Sequence, residues 1–430
     1  MSVTRYASVL GLGFGDCGKG RFVDALTRRW QAHTVARFNG GAQAGHNVVE
    51  GTRHHTFSQF GSGTFVPGVA TLLLDPVVVH PTALLVEAES LGRVGVHDAI
   101  ARLKIDARCR VTTPYHQAAG RLRELVRGAD AHGTCGVGVG ETVRHSLAHA
   151  DEVIRYGDLP CGPIDKLMAA RATLLAELSP LCEGIAVCRD ELAILRDETL
   201  GQRWMLSARA LARSCPPASA DEIAARLHMP GCVLFEGAQG ILLDEWRGFH
   251  PHTTWSSTTT AAVESVASRF GIGGPIKHYG VLRSYLTRHG TGPLPTHDPS
   301  LDALPEPHNS GDGWQGTFRR GQPDAVLLRY ALEAVGNLSG LLVSHLDVFD
   351  RGIALKWCEN YTNASRLPVS RGEDLAHQSA LTRLLAEAGP NYAREPICTA
   401  DALRARIASV TPLAVEFGSF GAGTALRERP

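Results

Sequence analysis

The sequence predicts an α/β protein: a single large domain around a central, mostly parallel sheet, with a phosphate-loop-like N-terminus and a helical subdomain. Three observations predict it. Apolar runs of strand length alternate with segments of helical period, the pattern of parallel strands joined by crossover helices. Most of those runs end at a glycine or a polar residue, where ligands gather in such sheets. The chain also opens on VLGLGFGDCGKGRFVD at 9–24, an apolar run, a glycine-rich turn and an amphipathic segment in immediate succession.

Taken in order, the strands expected after the opening one are 34–40, 69–80, 232–240, 276–287, 340–347 and 413–418. They read as buried strands because they are short, apolar and bounded by turn residues. Helical patterns fall between them at 82–91, 116–127, 163–178, 219–227, 259–269, 324–335 and 377–388. Pro163 suits a first helical turn, and Pro180 predicts that this helix stops by Leu178. Leu- and Ala-rich 163–227 is expected to be a helical excursion from one continuous domain spanning 1–430, and 296–308, dense in proline and charge, a surface excursion.

The bulk composition excludes several function classes. With 43 basic and 43 acidic residues the formal charge is +0, which leaves no electrostatic footprint for nucleic acid or a membrane surface. No apolar run approaches the roughly 18 residues of a spanning helix, and MSVTRYASVL leaves no room for a signal peptide before the first strand. The ten cysteines are scattered without a C-x-x-C pair. Reduced thiols and a cytoplasmic protein are therefore expected.

Five loops carry the chemistry. In the first, glycines at 11, 13, 15 and 18 let backbone amides approach an anion at the start of a helix, and Lys19 adds a point charge. Residues 13–20 fit the phosphate-loop pattern G-x-x-x-x-G-K-[ST] except at the last position, which is Gly20. The usual magnesium-binding hydroxyl is thus missing, and an acid, Asp16, stands inside the loop. Either a metal bridges that acid to the phosphates or Asp16 has chemistry of its own. The second loop, NGGAQAGHN at 39–47, holds His46 in another glycine-rich turn. The third is GTCGVGVG at 133–140, and the fourth is FEGAQG at 235–240, continued by the hydroxyl run TTWSSTTT at 253–260. The fifth, SHLD at 344–347, places an acid at the end of an apolar strand, like the guanine-reading Asp of GTP-binding proteins.

Together and in this order the loops resemble the adenylosuccinate synthetase family. The resemblance extends through TRHGTGPLPT at 287–296, DAVLLRYA at 324–331 and SHLDVFD at 344–350, and covers nearly the whole chain. It implies a homodimeric, GTP- and Mg²⁺-dependent ligase that joins the amino group of aspartate to the 6-oxo carbon of IMP, releasing GDP and phosphate. It further implies that Asp16 removes the N1 proton of the acceptor ring, that His46 offsets charge on the moving phosphoryl group, and that Lys19 binds phosphate. Magnesium would be held by Asp16 and the carbonyl of Gly45. The nucleotide would be bound by Gly15, Cys17, Gly18, Gly20, Gly45, His345, Asp347, Ser419 and Gly421. The acceptor would fall to Gln43, Thr134, Cys135, Gln239 and Thr254, and the amino acid to Thr317, Arg319 and Arg320.

The chain departs from the family pattern at defined places. Cys17 replaces the usual Glu of GDEGKG, and His345 stands two residues before the guanine-reading Asp, where a lysine is usual. Gln43 replaces an Asn and Cys135 a Thr at positions that hold the acceptor's phosphate. No arginine stands at 149–151, near where a partner subunit would lend one, although Arg144 or Arg155 lie close. The basic loop retains Arg319 and Arg320, with Phe318 at a basic position. These changes leave an alternative in which the same chemistry acts on a different oxo acceptor or amine donor. A second alternative is a non-catalytic nucleotide-binding regulator, which would need neither Asp16 nor His46. A dinucleotide enzyme also fits G-x-G-x-x-G at 13–18, but the second strand lacks its ribose-binding acid.

Overall fold

The computed structural model describes residues 4–306, 313–421, 423 and 425–428. Its centre is a ten-stranded sheet in the spatial order Leu426–Glu428, Val415–Ser419, Gly340–Ser344, Ile276–Arg283, Arg5–Gly11, Cys232–Glu236, Ala32–Arg37, Ala70–Leu73, Leu103–Asp106 and Pro217–Ala218. Every neighbouring pair is parallel except the last strand, which returns antiparallel from Ser419↔Leu426 to Phe417↔Glu428. The opening strand is near the middle, between two strands from distant parts of the chain.

Alternation along these strands explains why both faces are apolar. Leu10, Val233, Phe235, Leu341 and Val343 point into one core with the helices Thr260–Arg269 and Ala325–Val335. Val9, Leu234, Val281 and Leu342 point into the other, against Phe22 and Leu26 of the helix Lys19–Arg29. Strands covered on both faces read as continuous hydrophobic runs. The helices start where their caps dictate: Thr259 accepts from Ala262 N, and Asp324 from Val326 N and Leu327 N. A further core joins Leu73 and Ile105 near one sheet edge to Tyr115, Leu122, Leu174, Leu178 and Leu211 of the helices Pro114–Arg127, Ile164–Cys182 and Glu198–Ser214.

Several expected boundaries move. The helix begun after Pro163 runs through Pro180 to Cys182. Pro180 lies in the last turn, where little helix remains to be disrupted, and buried Leu178 and Cys182 hold that turn in the core. The run 69–80 divides into Ala70–Leu73 and Val78–Val79, and 276–287 into Ile276–Arg283 and a separate strand, Leu286–His289. The last two positions of 296–308 lie outside the described residues. A hairpin, His46–Glu50 with Arg53–Phe57, has no strand expected for it in the sequence. Its register pairs His46 with Phe57.

Candidate active site

Four of the five loops follow strands of the central sheet, and the third, at 133–140, follows the helix Pro114–Arg127. In the first, Gly18 adopts φ 86° and starts the helix at Lys19. Lys19 is 3% exposed, and its Nζ donates to the carbonyl of Gly15 at 3.1 Å. Buried Cys17 keeps its thiol protonated, since burial raises its pKa and Lys19 only partly opposes that. Gly20 explains the absent hydroxyl. A Cβ there would lie 2.5 Å from the Cβ of His46 and 2.8 Å from Ser62 Oγ, so no side chain fits.

His46 occupies the space that Gly20 leaves. Its Nδ1 meets Glu236 Oε1 at 2.5 Å, and Glu236 is fully buried at the end of Cys232–Glu236. Ser62 donates to the same carboxylate from its backbone N, at 2.9 Å, and from its hydroxyl. Burial pushes Glu236 up, but His46, Arg37 and Ser62 outweigh it and bring its pKa down to about 2. Burial carries the His46 pKa down to about 4 against the pull of Glu236, with Arg37 and Lys19 adding to the drop. With Glu236 ionised, the proton of a neutral His46 sits on Nδ1, which fixes the ring and leaves Nε2 for a ligand. Glu236 is a functional residue missed in the sequence. Its signal was available, an acid ending a buried strand just as Asp347 follows one.

The residues expected to read the base converge on the same loop. Ser344 Oγ donates to the carbonyl of Cys17 at 2.8 Å and meets His345 Nδ1 at 2.8 Å. His345 has φ 58° and packs edge-on to Tyr285 with ring centroids 6.1 Å apart; burial keeps it neutral. Asp347 faces Arg351 at 3.3 Å. Arg21 donates to the carbonyls of Gly421 and Phe420, tying the C-terminal loop to the phosphate-loop helix. Burial lowers its pKa to about 10, with Asp347 opposing. Ser419 is fully buried, and its hydroxyl finds no partner among the described residues.

Among the residues expected to hold the acceptor, both amide atoms of Gln43 are buried without a hydrogen-bond partner among the described residues. Gln239 takes φ 63°, and Thr254 N donates to Leu243 O at 2.7 Å. Thr134 Oγ1 accepts from Gly136 N, and Cys135 Sγ accepts from Gln315 Nε2 at 2.8 Å. Burial raises the Cys135 thiol to about 11, so it is a neutral polar contact here.

The residues expected to hold the amino acid lie on or beside a two-stranded ribbon, Leu286–His289 against Phe318–Gly321. Exposed Thr317 precedes it, its carbonyl accepting from Gly290 N at 3.0 Å. Register places Arg288 opposite Arg319 and His289 opposite Phe318. Arg319 donates to the carbonyl of Gly292 and keeps Nε unpartnered among the described residues. Arg320 turns toward the scaffold, bonding Asp302 Oδ1 at 3.1 Å and Leu304 O at 2.8 Å. His289, missed in the sequence, reaches Asp16: its Nε2 lies 3.6 Å from Asp16 Oδ2. Its ring packs on Phe318 with centroids 4.8 Å apart, and its buried Nδ1 has no partner among the described residues.

The site therefore gathers an acid beside a glycine loop, a buried lysine, an oriented histidine and an arginine with spare donors. Comparisons with known proteins bear on the family and the fold. The profile of the adenylosuccinate synthetase family matches residues 8–406. The adenylosuccinate synthetase of Azotobacter vinelandii is 35% identical over 373 residues, covering 85% of this chain and 83% of the relative. That of Edwardsiella ictaluri is 35% identical over 382 residues, covering 86% and 83%. Among solved structures, fully ligated adenylosuccinate synthetase from Plasmodium falciparum shares the fold with a TM-score of 0.77, 21% identity and full coverage of both chains. Cyanophage S-2L succinoaminodeoxyadenylate synthetase shares it at a TM-score of 0.61 and 15% identity, covering 100% of this chain and 96% of that one.

Proposed function

The chain belongs to the adenylosuccinate synthetase family, and from that premise we propose how its residues divide the reaction. It is a GTP-dependent ligase that forms a C–N bond, IMP plus L-aspartate and GTP giving adenylosuccinate, GDP and phosphate, with Mg²⁺ as cofactor. Near-full-length similarity to enzymes of that name disfavours a displaced acceptor or donor.

Asp16 takes the N1 proton of the acceptor, and the electron pair moves to the 6-oxygen, which attacks the γ-phosphorus as GDP leaves. The aspartate amine then adds at carbon 6, its proton is lost, and phosphate departs with the oxygen. His46 takes up a proton from solvent at Nε2 as the anionic nucleotide binds, Glu236 stabilises the cation through Nδ1, and Nε2–H donates to the moving group. Lys19 neutralises the distal phosphates. The observation that carries this reading is the seating of His46 over Gly20, which sets Glu236, His46 and the phosphate loop in one continuous stack.

Mg²⁺ takes oxygen ligands and is commonly held by one or two carboxylates plus substrate phosphates. The partly exposed Asp16 carboxylate and the exposed backbone at Gly45 suit that role. No group of three or more His, Cys, Asp or Glu poised for a metal occurs among the described residues. When bound, the ion supplies charge neutralisation between Asp16 and the phosphates.

The nucleotide lies along Gly15, Cys17, Gly18, Gly20 and Gly45, its base read by Asp347 with His345, Ser419 and Gly421 around it. Gln43, Thr134, Cys135, Gln239 and Thr254 hold the acceptor, the unpartnered amide of Gln43 awaiting a ligand. Thr317 and Arg319 hold the amino acid, with Arg320 bracing the strand behind them. We read the chain as one continuous unit with a helical excursion at about 163–227, because Pro217–Ala218 returns to the main sheet. Exposed Val86, Leu147 and Leu206 on helices support a homodimer, which sedimentation would test. Ten free cysteines support a cytoplasmic setting, and no helix among the described residues is long and apolar enough to cross a membrane. Purified protein with GTP, Mg²⁺, IMP and aspartate should form adenylosuccinate and GDP in equal amounts; nucleotide hydrolysis without adenylosuccinate would refute the assignment.

A further inference from the structure

The glycine-rich loop that carries Asp16 is seated in the cores by buried Phe14 and Cys17, and two of its consecutive peptide carbonyls, those of Asp16 and Cys17, are held from the sheet. Two strand ends do this. Ser344 Oγ grips the carbonyl of Cys17 at 2.8 Å, and Arg283 Nη1 grips the carbonyl of Asp16 at 3.1 Å. Arg283 and Ser344 are register partners in adjacent parallel strands, so one edge of the sheet holds two consecutive peptides of the loop.

Arg283 is itself held. Its side chain is 4% exposed, its Nη2 donates to the hydroxyl of Tyr285 and pairs with the carboxylate of Glu306, and its guanidinium lies 4.3 Å from the Tyr285 ring centroid. The Tyr285 hydroxyl donates to Glu306 Oε1 at 2.9 Å, closing a triangle behind the loop. A planar fork is required for this geometry, because one terminal nitrogen faces the loop carbonyl while the other faces the acid and the phenol. A lysine offers a single nitrogen and cannot span both.

We propose that Arg283, clamped by Glu306 and Tyr285, is a positioning residue for the reaction: it fixes the Asp16 peptide so that the carboxylate meets the acceptor ring, and it ties that position to the segment preceding the donor ribbon. The inference rests on the reading of Asp16 as the base. Misplacing a reacting group by about an ångström costs on the order of 100-fold in rate, whereas the loop amides that bind phosphate are also held by Ser344.

The test is steady-state kinetics on full-length Arg283→Lys, Glu306→Gln and Asp16→Asn, with thermal midpoints recorded for each. Arg283→Lys should lower kcat about 10–100-fold while leaving KM for GTP within about twofold. Glu306→Gln should lower kcat by less, in the same pattern. If Arg283→Lys fails to fold, Tyr285→Phe, which removes the hydroxyl shared by both partners, should show the same kcat-selective loss. A kcat within twofold of the parent in a folded variant, or a fall matched by a rise in KM for GTP, would overturn the proposal. Asp16→Asn separates the two readings. Full activity there removes the base itself, while an inactive Asp16→Asn beside an unimpaired Arg283→Lys removes only the positioning role.

Discussion

The phosphate-loop side and the donor ribbon lie next to each other but are prepared differently. On the first, the groups around the histidine are already engaged: Glu236 receives His46 and Ser62, Lys19 caps Gly15, and His46 is seated on Gly20. On the second, Arg319 Nε, Arg320 Nε and His289 Nδ1 are buried without partners among the described residues, while the terminal nitrogens of Arg320 are engaged with Asp302 and Leu304. Groups that stabilise a moving charge work best when already fixed. Groups that receive a small substrate must keep donors spare, and a buried unpaired donor marks a place for a ligand. On the proposed division of roles, one side serves the transition state and the other the incoming substrate.

Substitutions can break that contrast, starting with the largest expected effect. Asp16→Asn should lower kcat about 10²–10⁴-fold, the range for loss of a general base, measured as adenylosuccinate formed per second. Glu236→Gln should lower kcat about 100-fold with KM for GTP little changed, because His46 loses the anion that supports its charge. An equal loss in KM would make Glu236 a binding residue and blur the two sides. On the donor ribbon, Arg319→Met should raise KM for aspartate about 10–100-fold, from a charged hydrogen bond of about 1.5–3 kcal/mol. Arg320→Met should raise it less than about threefold while lowering the thermal midpoint, as its partners are Asp302 and Leu304.

The smallest effect is on pH-dependent stability. His46 and His116 titrate near 4 and 3 in the folded protein, chiefly through burial, against 6.5 ordinarily. Between pH 6.5 and about 4 the unfolded chain binds more protons, so stability falls as pH drops through that window. Glu245, raised to about 7 by burial and by Asp244 and Glu373, works in the opposite sense. Chemical denaturation at pH 7 and pH 5 should therefore show a steeper acid loss in Glu245→Gln and a shallower one in His116→Gln.

The loops were legible because their signals are local. Glycine spacing, an acid inside a phosphate loop and an acid after an apolar strand can be read from short windows. The sheet was legible because strands buried on both faces are apolar throughout. Glu236 was not, because its role exists only once Cys232–Glu236 lies beside Ala32–Arg37 and the hairpin begins at His46. Arg320 was not, because adjacent arginines look equivalent until the ribbon alternates their faces and Asp302 takes one of them. Pro180 misled for a related reason. A local helix-stop signal was overridden by burial of Leu178 and Cys182 in the helical core.

The contact between Gly20 and His46 sets a limit on how such a loop can change. Restoring a serine or threonine at position 20, as a conventional phosphate loop would require, inserts a side chain into the imidazole's seat. The hydroxyl and the histidine are therefore mutually exclusive occupants of one small volume. The size of a single methyl group keeps the two apart.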